Sequence, residues 1–224
     1  MKSDKFNFIE EVKKFKEKWV LTKGETITPI LFLEKEGVIE SMIVSPEIDK
    51  YAGLWVASIS RMILNPDKIY MTVDANMIAH DISDRNLKEL EAEMRHYPEN
   101  YLQLQKAKGQ KNIIDVLICI DVNSKGESNT KILPYKIEDK KVTWLNSDLH
   151  KMQMDGQLVN SLKETMMRCK PIIDDPEYLS KIFNGNVPDV IKEMFTDKNS
   201  NSLKDAMNKL LASQNFVFCN FNGE

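Results

Sequence analysis

The stretch IYMTVDANMIAHDISD, from Ile69 to Asp84, decides how the rest of the chain is interpreted. Its side chains alternate in character with a period of two, which is the period of a β-strand. One face carries Ile69, Met71, Val73, Ala75, Met77 and Ala79. The other face carries Tyr70, Thr72, Asp74, Asn76, Ile78 and His80. The pattern predicts a half-buried strand over Ile69–Met77, followed by an exit loop that caps the next helix.

The polar face of this strand carries the first candidate site, formed by Asp74, Asn76 and His80. Asp74 and Asn76 lie about 7 Å apart on a strand, a spacing at which both can hold one hydrated cation. His80 lies roughly 20 Å from Asp74 on a straight strand, so it joins them only if the strand ends early. Two interpretations stay open: structural roles for these residues, or a catalytic or metal site at Asp74 and Asn76.

The order of elements around this strand is helix, hairpin, helix, strand, and it resembles that of the JAMM metalloproteases. In that family the strand leads to a metal motif of the form HxH, followed by Ser and Asp. The corresponding positions here are Asp74-x-Asn76 and Ser83-Asp84, so the two zinc-binding histidines are absent and the spacing to the acid differs. The resemblance covers under half of the chain and rests on element order alone, so it assigns no family.

The flanking segments alternate between helical and strand patterns. Phe6–Val20 has apolar residues at helical spacing, and a β-hairpin is predicted to turn at Glu36-Gly37. Ser45-Pro46 predicts the start of a second helix, which ends before Asn65-Pro66. Ile113–Asp121 is an almost continuous apolar run, typical of a strand that is buried on both faces.

Together these elements predict an α/β (α+β) fold, with a mixed β-sheet, covering helices and a helical C-terminal region. Further strands are expected at 130–137 and 141–146, and a charged helical pattern occupies 83–109. We expect residues 1–146 to form the core domain. Residues 147–224 are expected to form a helical extension packed on it, with a closing strand at 216–221.

A second candidate site combines Asp115 with Glu138 and Lys140. Pairing of 113–121 with 130–138 as a hairpin brings position 115 near 136–138, which lets the two carboxylates approach each other. Paired carboxylates with a nearby lysine are the arrangement with which PD-(D/E)xK nucleases hold Mg²⁺ and position the nucleophile. A tight turn at Glu138–Lys140 is the competing interpretation.

The composition narrows the classes of function. The net charge is −3 and only four of the 31 basic residues are arginine, which makes a nucleic-acid partner unfavourable. Three widely spaced cysteines indicate reduced thiols and a cytoplasmic location. The N-terminus has no apolar leader region, and no stretch reaches the length of a membrane span, so no membrane partner is expected.

The leading hypothesis is a non-enzymatic module that binds another protein or self-associates, without a cofactor. Its support is the amphipathic first helix and the methionine-rich C-terminal part, because methionine gives adaptable apolar surface. The alternative is a metal-dependent hydrolase or nuclease that holds a divalent metal at either candidate site. A third interpretation is a ligand-binding domain with a pocket between the sheet and its helices.

Overall fold

The computed structural model describes residues 1–46, 49–78, 113–145, 157–169 and 200–220, with positions 171, 181, 185 and 189. The helical pattern at 83–109 and His80 lie outside these residues. Within the described residues, the helices are α1 (Phe8–Thr22), α2 (Lys50–Ile63), α3 (Gln157–Arg168) and α4 (Ser200–Ala212). The strands are β1 (Ile30–Lys35), β2 (Val38–Val44), β3 (Lys68–Ile78), β4 (Ile113–Asn123), β5 (Ser128–Glu138), β6 (Lys141–Trp144) and β7 (Val217–Asn220).

The seven strands form one sheet in the order β6-β5-β4-β3-β1-β2-β7. Helices cover this sheet, so the predicted α/β class is confirmed. Every pairing between the described strands is antiparallel, whereas the sequence predicts a mixed sheet. The reason is the position of β1. The α2 crossover joins β2 to β3, which run parallel, but β1 lies between them and is antiparallel to both.

Both faces of the sheet are covered, each by different helices. On one face, α1 packs against an apolar cluster that includes Phe32, Tyr70 and Leu117. On the other face, α2, α3 and α4 pack against a cluster that includes Leu31 and Met71. The alternation predicted for β3 is confirmed, because its odd and even positions enter different clusters. The first half of β3 is buried on both faces instead of one, because α1 lies over the polar side.

The β1–β2 hairpin turn and the start of α2 show how far local sequence signals determine the structure. Glu36 and Gly37 have φ angles of 52° and 71°, so both take the left-handed conformation of a two-residue hairpin turn, as predicted. The helix α2 begins later than Ser45-Pro46 indicates. Its cap is Asp49, whose side chain accepts a hydrogen bond from the Tyr51 amide at 2.9 Å.

The C-terminal residues contribute to the same sheet and core. The strand β7 pairs with β2. Met207 and Leu211 of α4 are fully buried in the apolar cluster that includes Leu31 and Met71. The predicted division between a core domain and an extension at residue 146 stays a prediction. No helix within the described ranges combines the length and apolarity that a bilayer span requires.

The helix α2 approaches the sheet closely at Gly53, because this residue has no side chain. A Cβ atom at this position would lie 3.1 Å from the Pro29 Cβ and 3.3 Å from the Met71 sulfur. Both distances are shorter than ordinary van der Waals contact, and Pro29 cannot move without its backbone. The small side on α2 that the sequence shows at Gly53 and Ala57 is therefore a packing surface.

We expect Gly53→Val to lower the free energy of unfolding by about 2 kcal/mol or more, because the added methyl groups have no space beside Pro29 and Met71. Urea denaturation followed by circular dichroism measures this change. Lys50→Val in the exposed first turn of α2 is the matched control and is expected to change stability far less. Helix propensity alone favours Gly53→Val and disfavours Lys50→Val. A loss of stability for Gly53→Val no larger than for Lys50→Val would therefore contradict the crowding.

Candidate functional site

The helix α1 places one lysine inside the core. The buried positions of α1 recur every four residues, so a single stripe faces the sheet. These positions are Phe8, Val12, Lys16 and Val20. Lys16 lies in the middle of the stripe, and no part of its side chain is exposed. A buried ammonium group requires charge and hydrogen-bond partners, because burial removes its hydration.

The ammonium group of Lys16 has three such partners. It donates to Asp74 Oδ2 at 2.6 Å, to the Tyr135 hydroxyl at 2.8 Å and to the backbone carbonyl of Glu25. An ammonium group has three N–H donors, so these contacts use all of them. The ammonium also lies 4.2 Å from the centre of the Tyr135 ring, within range of a cation–π interaction.

The carboxylate of Asp74 accepts three hydrogen bonds, one of them from Lys16. Its Oδ2 accepts a second hydrogen bond from the Ile27 amide at 2.9 Å, and its Oδ1 accepts one from the Tyr135 hydroxyl at 2.6 Å. Only 4% of this side chain is exposed. The group of Lys16, Asp74 and Tyr135, which we name the buried triad, therefore links α1, the segment before β1, β3 and β5.

Burial shifts the pKa of every member of the buried triad toward its neutral form. Desolvation raises the pKa of Asp74, and the hydrogen bonds and charge of Lys16 offset only part of this rise. Desolvation lowers the pKa of Lys16, again against the attraction of Asp74. The pKa of Tyr135 is raised by burial and by the adjacent Asp74 carboxylate. Shifts of this kind occur at catalytic sites and in structural ion-pair networks alike.

The geometry of the buried triad favours the structural role. A lysine nucleophile or general base must reach a substrate, but all three Lys16 donors have protein partners and the side chain has no exposed surface. The ammonium lies 2.6 Å from Asp74 Oδ2. A metal ion bound to this oxygen on the side of α1 would therefore have to displace Lys16.

The remaining residues of the first candidate site are Asn76 and His80. Asn76 lies on the same face of β3 as Asp74, and its amide donates to Asp115 Oδ1 on β4 at 2.7 Å. The structure thus joins Asn76 to Asp115, a residue of the second candidate site. His80 falls outside the described residues, so the expectation that it joins Asp74 only if the strand ends early stays a prediction. Within the described ranges, no three His, Cys, Asp or Glu side chains are grouped as a metal site requires.

The structure does not bring Asp115 together with Glu138 and Lys140. The residue opposite Asp115 is Tyr135, and Glu138 lies three positions further along β5, roughly 10 Å away. Glu138 pairs with Lys141 across the β5–β6 hairpin. Lys140 is exposed in the two-residue turn of that hairpin, where its φ angle is 60°. The tight turn considered for this segment is the arrangement that the structure shows.

Sequence reasoning placed Asp74 on the correct face but missed its partners. Lys16 resembles a surface lysine, because the helix around it is rich in lysine and glutamate. The signal that could have revealed it is the four-residue spacing of Phe8, Val12 and Val20, which places position 16 on the buried stripe. Tyr135 had no such signal, because its contact with Asp74 spans 61 positions of sequence.

Comparison with known proteins does not assign the chain to a family. No family model, curated protein or solved structure matches the chain.

We expect Lys16→Met to lower the free energy of unfolding by about 3–5 kcal/mol, because it leaves the Asp74 carboxylate buried without its counter-charge. Adding Asp74→Asn should recover part of this loss, since the neutral amide needs no cation. Urea denaturation at neutral pH measures both variants. Lys14→Met is the matched control, because Lys14 is an exposed lysine of the same helix. A loss for Lys16→Met no larger than for Lys14→Met would contradict the structural role.

The buried Cys119 thiol predicts a loss of stability in alkaline solution. Burial raises its pKa from 9.0 to about 12, so the native chain keeps a proton that the unfolded chain releases above pH 9. The contribution of this group is complete below pH 9 and is lost as the pH rises toward 12. Between pH 9 and 10, we expect the free energy of unfolding to fall by about 1 kcal/mol more in the wild-type protein than in the Cys119→Ala variant. Parallel pH profiles of the two proteins would refute this expectation.

Proposed function

We propose that the protein is a non-enzymatic module that acts through protein–protein contact, and that its contact surface is on α2. Tyr51 and Trp55 lie one helical turn apart, and 45% and 41% of their areas are exposed. We name this pair the aromatic face. Tyrosine and tryptophan supply much of the binding energy of protein interfaces, because they bury a large area with few rotatable bonds. This exposed pair is the observation that carries the proposal.

The ring of Trp55 is held in place before any partner binds. Its centre lies 5.7 Å from that of the Phe216 ring, which is itself buried immediately before β7. A side chain that is already ordered loses less conformational entropy on binding, so more of its buried area contributes to affinity. The C-terminal half of α2 is covered by α3. The hydroxyl oxygens of Ser58 and Thr165 lie 3.3 Å apart there, and Arg61 donates a hydrogen bond to the Met166 carbonyl.

Most of the surface that the sequence suggests for partner binding is buried within the described part of the chain. The apolar stripe of α1 packs on the sheet, and Met166 and Met207 are fully buried in the core. Met167 is 54% exposed, but its sulfur lies against Gly126 of the β4–β5 turn. Support for an interaction module therefore rests on the aromatic face and not on α1 or on these methionines.

The partner that we propose for the aromatic face is a second copy of the chain. Symmetric pairs, in which the same patch meets itself, are the commonest form of protein self-association. A net charge of only −3 over 224 residues gives little repulsion between copies. Stacking of Tyr51 and Trp55 from two copies would remove four exposed aromatic rings from water.

We expect the protein to form a dimer in solution, and Trp55→Ala to raise its dissociation constant by about 30-fold or more, as for other central tryptophans in interfaces. Light scattering over a range of concentrations measures this constant. Tyr51→Glu tests the same face without removing the Trp55–Phe216 contact. Leu21→Ala is the matched control, because Leu21 is 65% exposed on α1, on the other face of the sheet.

A protein that stays monomeric at every concentration would overturn this proposal, as would equal weakening by Leu21→Ala and Trp55→Ala. The metal-dependent hydrolase alternative is separable by a different measurement. A metal that binds only the folded chain raises its melting temperature, so stabilisation by Mg²⁺, Mn²⁺ or Zn²⁺ would favour that alternative.

A further inference from the structure

A cavity of about 160 Å³ lies between the first turn of α1 and the sheet. Its volume is close to that of an engineered protein cavity, about 150 Å³, that binds benzene. The lining residues are Phe8, Ile9, Tyr70, Cys119, Asp121, Asn129 and Lys131. Two residues of α1 and two neighbouring rows of residues on three adjacent strands therefore border the space, which is open to solvent on one side.

The strand register explains why the space is open there. Tyr70, Asp121 and Asn129 form one row across β3, β4 and β5, and Cys119 and Lys131 belong to the next row. Further along the sheet, the middle of α1 covers the corresponding rows with Val12 and Lys16. At this end the helix begins at Phe8, so only its first turn reaches over the strands.

Phe8, Ile9, Tyr70 and Cys119 form the apolar part of the lining, and Asp121, Asn129 and Lys131 form its polar part. Phe8 and Tyr70 contribute rings whose centres are 5.1 Å apart, and Cys119 contributes a buried thiol that is 2% exposed. Burial raises the pKa of this thiol to about 12, so it is uncharged at neutral pH. A compact apolar group is therefore the part of a ligand that suits these walls.

The charges at the rim favour an anion. Asp121 is already paired with Lys68 at 2.6 Å, so this carboxylate and this ammonium cancel. Lys131 has no ion-pair partner among the described residues, and it is exposed beside the amide of Asn129.

We infer that this cavity binds a small organic monocarboxylate, with its apolar part against Phe8, Tyr70 and Cys119 and its carboxylate at Lys131. One uncompensated lysine matches a single negative charge. A phosphate group carries more charge and is usually bound by arginine or several cations, and the lining contains no arginine. A ligand of this kind also fits the pocket between sheet and helix that the third sequence interpretation describes.

Titration with benzoate, followed by amide chemical shifts in ¹H–¹⁵N NMR spectra, tests this inference. We expect saturable shifts at the lining residues, with a millimolar or tighter dissociation constant that suits a ligand of this size. Lys131→Met should weaken binding by about tenfold or more, because a charge-assisted contact is lost. Benzamide has nearly the same shape without the charge, and it should bind correspondingly more weakly.

Lys136→Met is the matched control, since Lys136 is an exposed lysine of the same strand outside the cavity lining. It should leave benzoate binding unchanged. The inference fails if benzoate produces no saturable shifts at the lining residues. It also fails if Lys131→Met and Lys136→Met act alike, or if benzamide binds as tightly as benzoate.

Discussion

The ammonium group of Lys16 lies inside the protein against the carboxylate of Asp74, and much of the architecture follows from this contact. Two charges removed from water are tolerated only if each finds its partners in a fixed geometry. Tyr135 and the backbone of residues 25–27 supply those partners. The contact therefore fixes the position of α1 on the sheet, the path of the chain into β1 and the relation of β3 to β5. Apolar packing alone would tolerate sliding of α1, whereas this hydrogen-bond geometry does not.

The same contact changes what the polar residues of β3 mean for function. Asp74 and Asn76 suggest a metal site when they are considered alone. In the structure, Asp74 accepts hydrogen bonds from Lys16, Tyr135 and Ile27, and Asn76 donates one to Asp115. The polar side chains that suggest a site on β3, Asp74 and Asn76, thus make hydrogen bonds that connect parts of the fold. The exposed groups of the described residues include two aromatic rings on α2 and a lysine beside a small cavity.

Several parts of the fold could be predicted from the sequence because their causes are local. The alternation of β3, the Glu36-Gly37 turn and the helical spacing of α1 each depend on neighbouring residues. Register between distant strands has no such local cause. The β4–β5 hairpin places Tyr135 opposite Asp115, and this single relation separates Asp115 from Glu138 and Lys140. The start of α2 was also misplaced, because Ser45-Pro46 and Asp49 are both acceptable caps and only packing selects between them.

The sequence by itself determined the class of the protein, the positions of most strands and the face of β3 on which Asp74 lies. Only the tertiary structure decided that this face is covered, and that a lysine covers it. The physical reason is that side-chain period is set by backbone geometry within one segment, whereas burial is set by what another segment places above it. Lys16 and Asp74 are 58 positions apart, so neither residue carries local information about the other.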